Sequence, residues 1–386
     1  MSYRPTQAVI NVENFKHNVD NLKKNLDSLF FCPMIKANAY GHGDQMMAKI
    51  LSQMGVPYRG VGLIEEALHI RSVDSNQKIV YFGVIDELCL KEIIFHQIIP
   101  VISGPGELKL LGQYCHGHNL LYPIHLKIDT GMHRLGFLQS ELSNLIEQLK
   151  SYPQLQVEAV MTHFAIGEDI QDDQGLTQKQ MTEFRQSLLQ LGLKFKYVHA
   201  LNSAALIGLA NSGDTKLLSQ FQNIGARPGL ACYGYSPVPN NNVISLRPVM
   251  SVYSKIVHIK PIEKGQGVSY GHTWVAQKKS WIGIIPMGYA DGYPRDLSNK
   301  AYVLVFGEKC PVVGNVCMDY FMVDLTALIP KYSFEQLHFC LVTIMGYDQS
   351  GSLIGADQLA GWGSTITWEI LTRLSERVPR TYLESP

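Results

Sequence analysis

From Phe30 to Arg227 the chain repeats one pattern eight times: a short apolar run, a turn, then a segment whose apolar residues recur at helical spacing. Short apolar runs of this kind are strands buried on both faces, and strands that alternate with amphipathic helices pack as a parallel sheet with crossover helices. The expected strands are Phe30 to Ile35, Gly60 to Leu63, Ile79 to Phe82, Ile99 to Ile102, Tyr122 to Ile128, Val157 to Thr162, Tyr197 to Ala200 and Asn223 to Arg227. Helices fit between them, as at Asp44 to Met54, Gln139 to Ser151 and Thr177 to Leu191. Eight such units match a (β/α)8 barrel of the TIM type, whose chemistry lies at the carboxyl ends of the strands. A doubly wound open sheet has the same periodicity and stays open as an alternative. No G-x-G-x-x-G follows the first strand, which weakens a dinucleotide reading.

The ends of the chain read differently. Ala8 to Val12 alternates as a short strand, and Val12 to Leu29 carries Phe15, Val19, Leu22 and Leu26 at helical spacing. Pro237-Val238-Pro239-Asn240-Asn241-Asn242 is a turn-rich linker. Beyond it, Met250 to Ile259, Trp281 to Ile285, Tyr302 to Phe306, Tyr320 to Asp324 and Phe339 to Ile344 follow one another without helices, the pattern of a mainly antiparallel β domain. A helix, Thr365 to Glu376, and Arg377-Val378-Pro379-Arg380 come last. The expected domains are a barrel over residues 1–240, whose first strand (about 8–12) is free to pair with the second domain, and a β domain over residues 241–386.

Several classes of function are disfavoured. Lys plus Arg equals Asp plus Glu at 33 each, without a basic cluster interleaved with aromatics, so nucleic acid is not an expected partner. No apolar stretch approaches the roughly 18 residues of a membrane span, and Met1 to Gln7 has no signal core, so a cytoplasmic protein is expected. Cys32, Cys89, Cys115, Cys232, Cys310, Cys317 and Cys340 are scattered without CxxC spacing and read as reduced thiols. His116-Gly117-His118 reads as a solvated loop pair, and no metal is expected.

The chemistry starts at Lys36, which closes the first strand in Pro33-Met34-Ile35-Lys36-Ala37-Asn38-Ala39-Tyr40-Gly41-His42-Gly43. Burial there favours the neutral amine, a nucleophile. Bringing a lysine from about 10.4 to neutrality takes about 4 to 5 kcal/mol of environment. A lysine at a strand end with its ammonium in water is the plainer reading of position alone.

The words around Lys36 resemble the pyridoxal phosphate lysine motif of bacterial alanine racemases, in which the cofactor sits in a barrel. The resemblance implies that Lys36 carries pyridoxal 5'-phosphate and that Tyr40 reaches its phosphate. His125-Leu126-Lys127-Ile128-Asp129-Thr130-Gly131-Met132-His133-Arg134 is similar to a second family segment. There Arg134 meets the substrate carboxylate, for which a guanidinium fork is suited, and Lys127 is expected to be carbamylated. His133 stands where the family often has glycine. The eighth strand ends Gly225-Ala226-Arg227-Pro228-Gly229-Leu230, and the resemblance puts Ser203, Gly229 and Leu230 on the phosphate. It puts Arg227 against the ring nitrogen, where a permanent cation leaves a weaker electron sink and disfavours transamination and decarboxylation.

Racemisation needs an acid/base group on each face of Cα. Lys36 serves one. Gly267-Val268-Ser269-Tyr270-Gly271-His272 resembles the family's catalytic tyrosine segment and makes Tyr270 the other, with its acidity tuned through His163 and Arg227. The resemblance further implies a homodimer with shared active sites, in which Tyr270 and the Asn315 to Asp319 segment act in the partner's site, Met318 contacts the carboxylate and Tyr289 stands at the mouth. Thr365-Ile366-Thr367-Trp368 departs from it, with Trp368 where the family normally has a phosphate-binding tyrosine. An indole cannot accept a hydrogen bond, which keeps a serine or broader-specificity racemase open beside an alanine racemase supplying D-alanine for peptidoglycan. A pyridoxal phosphate-binding protein without catalysis is the reading from another class.

Overall fold

The computed structural model describes residues 3–26, 30–213, 221, 224–239 and 241–384. The expected helix end at Leu29, strand start at Asn223 and linker residue Asn240 lie outside them. The chain forms two compact units. One comprises Phe15–Ala39 and Gly43–Arg247; the other comprises Met1–Asn14, Tyr40–His42 and Pro248–Pro386.

The first unit is the barrel. Strands Tyr58–Val61, Lys78–Tyr81, Ile99–Ile102, Tyr122–Lys127, Leu155–Met161, Tyr197–Leu201 and Ile224–Ala226 pair in that order, all parallel. The segment expected as strand one is reduced to two parallel bridges, Phe31 to Ala226 and Met34 to Gly60. Pro33 lies between them and has no N–H to give a ladder. Its carbonyl still accepts from Gly60, and Cys32 and Met34 donate to Ala226 and Pro228. These bonds join the last strand to the first and close the sheet, which rules out the open-sheet alternative.

Closure buries a core of Phe30, Cys32, Tyr58, Val80, Ile99, Val101, Ala159, Met161 and Tyr197. Outside run helices Asp44–Gln53, Leu142–Ser151 and Leu176–Leu191, close to their expected bounds. The amino-terminal helix, Val12–Lys24, is shorter than its apolar pattern. His116 and Gly117 end the helix Pro105–Gly117, and His118 is its C-cap, so this pair is helical and not a loop.

The second unit is mainly antiparallel. Its large sheet runs Glu308–Pro311, Tyr302–Val305, Leu341–Tyr347, Met250–Lys255, Gln7–Asn11, Arg380–Leu383, with Leu353–Ile354 paired to Leu341–Tyr347. The amino-terminal strand sits here, antiparallel to Met250–Lys255 and parallel to Arg380–Leu383. The expected strand Met250 to Ile259 is two strands. After Lys255 the chain leaves the large sheet, and His258–Ile262 pairs with Ser280–Ile285 in a three-stranded sheet with Phe321–Asp324. Strand Glu308–Pro311 was not legible from periodicity. A two-residue turn, Phe306 at φ 52 and Gly307 at φ 80, joins it to Tyr302–Val305, and phenylalanine is not a residue that announces such a turn. The last expected helix is shorter, Thr367–Thr372, and is preceded by a second one, Ala356–Trp362.

Candidate active site

Lys36 ends the closing segment of the barrel and is followed by an uncommon backbone. Ala37, Asn38, Ala39 and Tyr40 have φ of 51, 52, 52 and 53, a full turn of left-handed helix made without glycine. Each such residue costs roughly 1–2 kcal/mol, so the surroundings must hold it. Glu66 does so in the barrel unit. Its carboxylate accepts from Ala37 N–H at 2.6 Å and from Gly62 and Leu63 N–H at 2.8 and 3.1 Å, tying the lysine turn to the end of the neighbouring strand. Sequence reasoning missed Glu66, since nothing local marks a glutamate 29 residues away as the partner of this turn.

Lys36 is exposed at the barrel mouth yet ringed closely by protein. Its pKa is lowered, first by lost solvation and then by Arg134, with Glu66 opposing. Lys127, buried in the fifth strand of the closed barrel, is pushed down to about 8 by burial and by Arg134 and Arg227, against Asp129 and Glu107. Arg134 is exposed at the end of a loop wound on Asp129, whose Oδ1 accepts from Gly131, Met132 and His133 N–H at 3.0 Å each. His133 has φ 52, the left-handed region that favours glycine.

Arg227 is buried and fully engaged. One terminal nitrogen donates to His199 Nδ1 at 2.8 Å; the other donates to Thr162 O at 2.8 Å and to His163 Nδ1 at 3.2 Å. The guanidinium also lies 6.0 Å from the Phe82 ring centre. Burial pushes its pKa down to about 10, which still leaves it charged at neutrality. An always-donating guanidinium makes Nδ1 of both histidines an acceptor, so both rings are neutral with the proton on Nε2. Their pKa values agree, lowered well below the ordinary range by burial first and Arg227 next. Nothing in the sequence around His199, a histidine within a buried strand, marks it for this role. Gln180, also missed, fixes the His163 loop by donating to His163 O at 3.1 Å and accepting from Ala165 N–H.

Ser203 opens the helix Ser203–Ser212, capped by Asn202, so the positive end of a helix faces the strand ends. Ser203 Oγ accepts from Gly229 N–H at 2.9 Å and Ala231 N–H at 3.3 Å, and Leu230 follows in the same turn. The barrel unit thus brings together Lys36, Lys127, Arg134, His163, Ser203, Arg227, Gly229 and Leu230. An amine of lowered pKa, a buried cation and a helix N-terminus fit the aldehyde, ring nitrogen and phosphate of pyridoxal phosphate.

The β unit holds the other named residues in two groups. Tyr40 belongs to it with Gly41, which has φ 83 and where a Cβ would lie 2.2 Å from Leu371 O, so only glycine lets this turn reach the helix that carries half-buried Trp368. Tyr270 stands on a tight turn, 73% exposed, beside Ser269 at φ 63. Ser269 Oγ donates to Asn315 O at 2.6 Å and Asn315 Nδ2 to Tyr270 O at 2.7 Å, while Tyr289 and Ala290 N–H donate to Cys317 and Met318 O. Tyr270, Tyr289 and Met318 are therefore one cluster, all exposed. Asp291 anchors it from below, accepting from Arg4 at 2.7 and 2.8 Å and from Gly288 N–H at 2.9 Å.

A closed barrel with such a lysine and arginine, joined to a β domain, defines the pyridoxal phosphate-dependent isomerases of the barrel type. Residues 10–237 match the family model "Alanine racemase, N-terminal domain" and residues 249–382 "Alanine racemase, C-terminal domain". The chain belongs to the alanine racemase family. It is 36% identical over 392 residues to an alanine racemase of Sorangium cellulosum, covering 99% of this chain and 100% of that one, and 33% identical to that of Halothermothrix orenii, covering 98% and 97%. Among solved structures it is similar to alanine racemase from D-cycloserine-producing Streptomyces lavendulae (TM-score 0.89, 29% identity, 100% and 99% covered). It is also similar to that of Bartonella henselae with covalently bound pyridoxal phosphate (TM-score 0.86, 29% identity, 98% and 99% covered).

Proposed function

We propose that the protein interconverts L-alanine and D-alanine with pyridoxal 5'-phosphate by a two-base mechanism, and that the D-alanine serves peptidoglycan. The observation that carries this reading is buried Arg227, locked between His199 and His163. When bound, the cofactor supplies the electron sink that acidifies the substrate's Cα–H. Arg227 would meet its ring nitrogen and, as a permanent cation, would keep that nitrogen unprotonated. Lys36 would anchor it covalently, and Ser203, Gly229 and Leu230 of the barrel unit would hold its phosphate, a task the resemblance also gives to Tyr40 and Trp368. Arg134, steadied by carbamylated Lys127, binds the substrate carboxylate together with Met318, and Tyr289 lines the mouth.

Lys36 takes or returns the proton on one face of Cα, and Tyr270 does the same on the other. His163, neutral with its proton on Nε2, passes the influence of Arg227 toward the phenol. We assign Tyr270 to the site of a partner copy in a homodimer. Its exposure with Met318 and Tyr289, an aromatic patch on the β unit, supports this. Seven free thiols support the cytoplasm, and no helix among the described residues is long and apolar enough to cross a membrane.

A serine or broader-specificity racemase is the second reading, favoured by Trp368. Purified protein with pyridoxal phosphate is incubated with L-alanine, L-serine and L-lysine in deuterated water. Inversion of alanine with deuterium at Cα is the expected result, and optically pure, unlabelled alanine overturns it. Tyr270→Phe, with cofactor absorbance kept and inversion lost, separates catalysis from cofactor binding alone.

A further inference from the structure

From Arg227 a single file of polar side chains continues through the barrel interior. His199 Nε2 lies 3.0 Å from His125 Nδ1, and His125 Nε2 lies 3.9 Å from Glu158 Oε2. The other oxygen of Glu158 accepts from Lys78 Nζ at 3.0 Å and from Tyr58 OH at 3.2 Å, and Lys78 also donates to Tyr58 OH at 3.1 Å. His125 and His199 are wholly buried, with Phe30 stacked on His199. Lys78 opens its strand at the amino end of the barrel, where it and Glu158 line a cavity of about 820 Å3. The file therefore runs from the face opposite the candidate site to the cation within it.

Its direction is set by Arg227. Arg227 can only donate, so His199 accepts on Nδ1 and carries its proton on Nε2. That proton goes to His125 Nδ1, which leaves the His125 proton on Nε2, pointing to Glu158. A carboxylate at the far end wants the same orientation. The 3.9 Å separation is too long for a hydrogen bond, and both atoms are buried without another partner. In surroundings this dry a carboxylate still orients an N–H at that range. The opposite tautomers would set an N–H of His199 against an N–H of Arg227 and leave His125 facing Glu158 lone pair to lone pair. Burial and nearby cations keep both rings neutral, His125 pushed down to about 3 by burial, Arg227 and Lys78.

We propose that Glu158 is a positioning residue for Arg227: seated on Lys78 and Tyr58, its carboxylate draws on the Nε2–H of His125 and so, through the His125–His199 pair, strengthens the bond that Arg227 donates to His199 Nδ1. This rests on the reading of Arg227 as partner of the cofactor's ring nitrogen. A carboxylate and a guanidinium at the two ends polarise the rings in series, and each hydrogen bond strengthens the next. Losing the carboxylate leaves Arg227 in place with a weaker hold, free to tilt from the plane the reaction needs.

The test uses protein labelled with 15N-histidine, with and without pyridoxal phosphate. The His125 and His199 resonances are assigned by their loss in His125→Asn and His199→Asn. Wild type should show both rings as neutral Nε2–H tautomers. Glu158→Leu should leave both rings as Nε2–H tautomers, which Arg227 sets, but move the His199 Nε2–H resonance upfield and lower kcat about tenfold with KM for alanine unchanged. Glu158→Gln, isosteric and expected to fold, should shift His199 in the same sense by less. A wild-type His199 protonated on Nδ1 or on both nitrogens overturns the proposal, as does a His199 signal unmoved in both Glu158 variants. Absence of racemisation in wild type would instead sink the functional reading, while the tautomers would still report on the file.

Discussion

Glu66 accepts the backbone N–H of Ala37 at 2.6 Å, one residue beyond Lys36. The bond restrains the turn from which Lys36 projects, and the same carboxylate spans to Gly62 and Leu63. Three N–H groups lose their acceptor in Glu66→Ala. The expected outcome is a loss of about 2 kcal/mol in stability by denaturant titration. A fall of about a hundredfold in kcat/KM should accompany it as Lys36 drifts from its position. Borohydride trapping of pyridoxal phosphate on Lys36 should slow in parallel, and an unchanged trapping rate would remove Glu66 from the positioning of the lysine.

Asp291 gives the β unit an acid-sensitive anchor. Burial alone would raise its pKa, but the bonds from Arg4 and Gly288, with the charge of Arg377, bring it below the ordinary carboxylate range. A depressed folded-state pKa adds stability above the unfolded value of about 3.9, and that stability is lost as pH falls through the folded value. Asp291→Asn should therefore melt lower than wild type at pH 7, by about 2 kcal/mol. The two curves should converge as pH drops below about 4. A gap that persists at pH 2 would assign the effect to packing.

Lys127, at about 8, keeps about a tenth of its amine free at pH 7, which is the form that reacts with carbon dioxide. Protein equilibrated with 13C-bicarbonate should show a carbamate carbon resonance that strengthens as pH rises from 6 to 8. Lys127→Arg, which has no amine to react, should lack it. Loss of Arg134 ordering is expected to raise KM for alanine several-fold in that variant.

Trp368 offers one N–H where a phenol could both donate and accept. Trp368→Tyr should lower the ratio of serine to alanine kcat/KM and tighten pyridoxal phosphate binding. Competition between the two substrates measures the first and fluorescence titration the second. A ratio equal to that of wild type would leave the indole without a part in substrate choice.

Period and punctuation in the chain were enough to place the barrel strands to within a few residues, because inward and outward side chains must alternate with covering helices. Pro33 shows where that reading stopped: the run Phe30 to Ile35 is strand-like in composition, yet a residue without an N–H leaves it as two bridges. Phe306-Gly307 shows the same from the other side, a tight turn in residues that do not advertise one. In the candidate site, position alone left Lys36 an ordinary strand-end lysine; Lys36 and Arg227 stood out through the motifs around them, which resemble those of a known family. His199, His125 and Glu158 did not, since a histidine or glutamate within a strand carries no mark of what it faces.

The amino-acid sequence by itself determined the alternation that makes a barrel, the switch to a β domain after the linker, and the identity of the ionisable groups at the strand ends. These are local properties, written in spacings of two to four residues. Only the tertiary structure decided that Ala37 to Tyr40 wind left-handed, that the sheet closes through Phe31 and Met34, and that two imidazoles 74 residues apart share one proton direction. Each of these depends on a hydrogen bond between distant parts of the chain, whose energy exists only once folding has brought donor and acceptor into a dry interior.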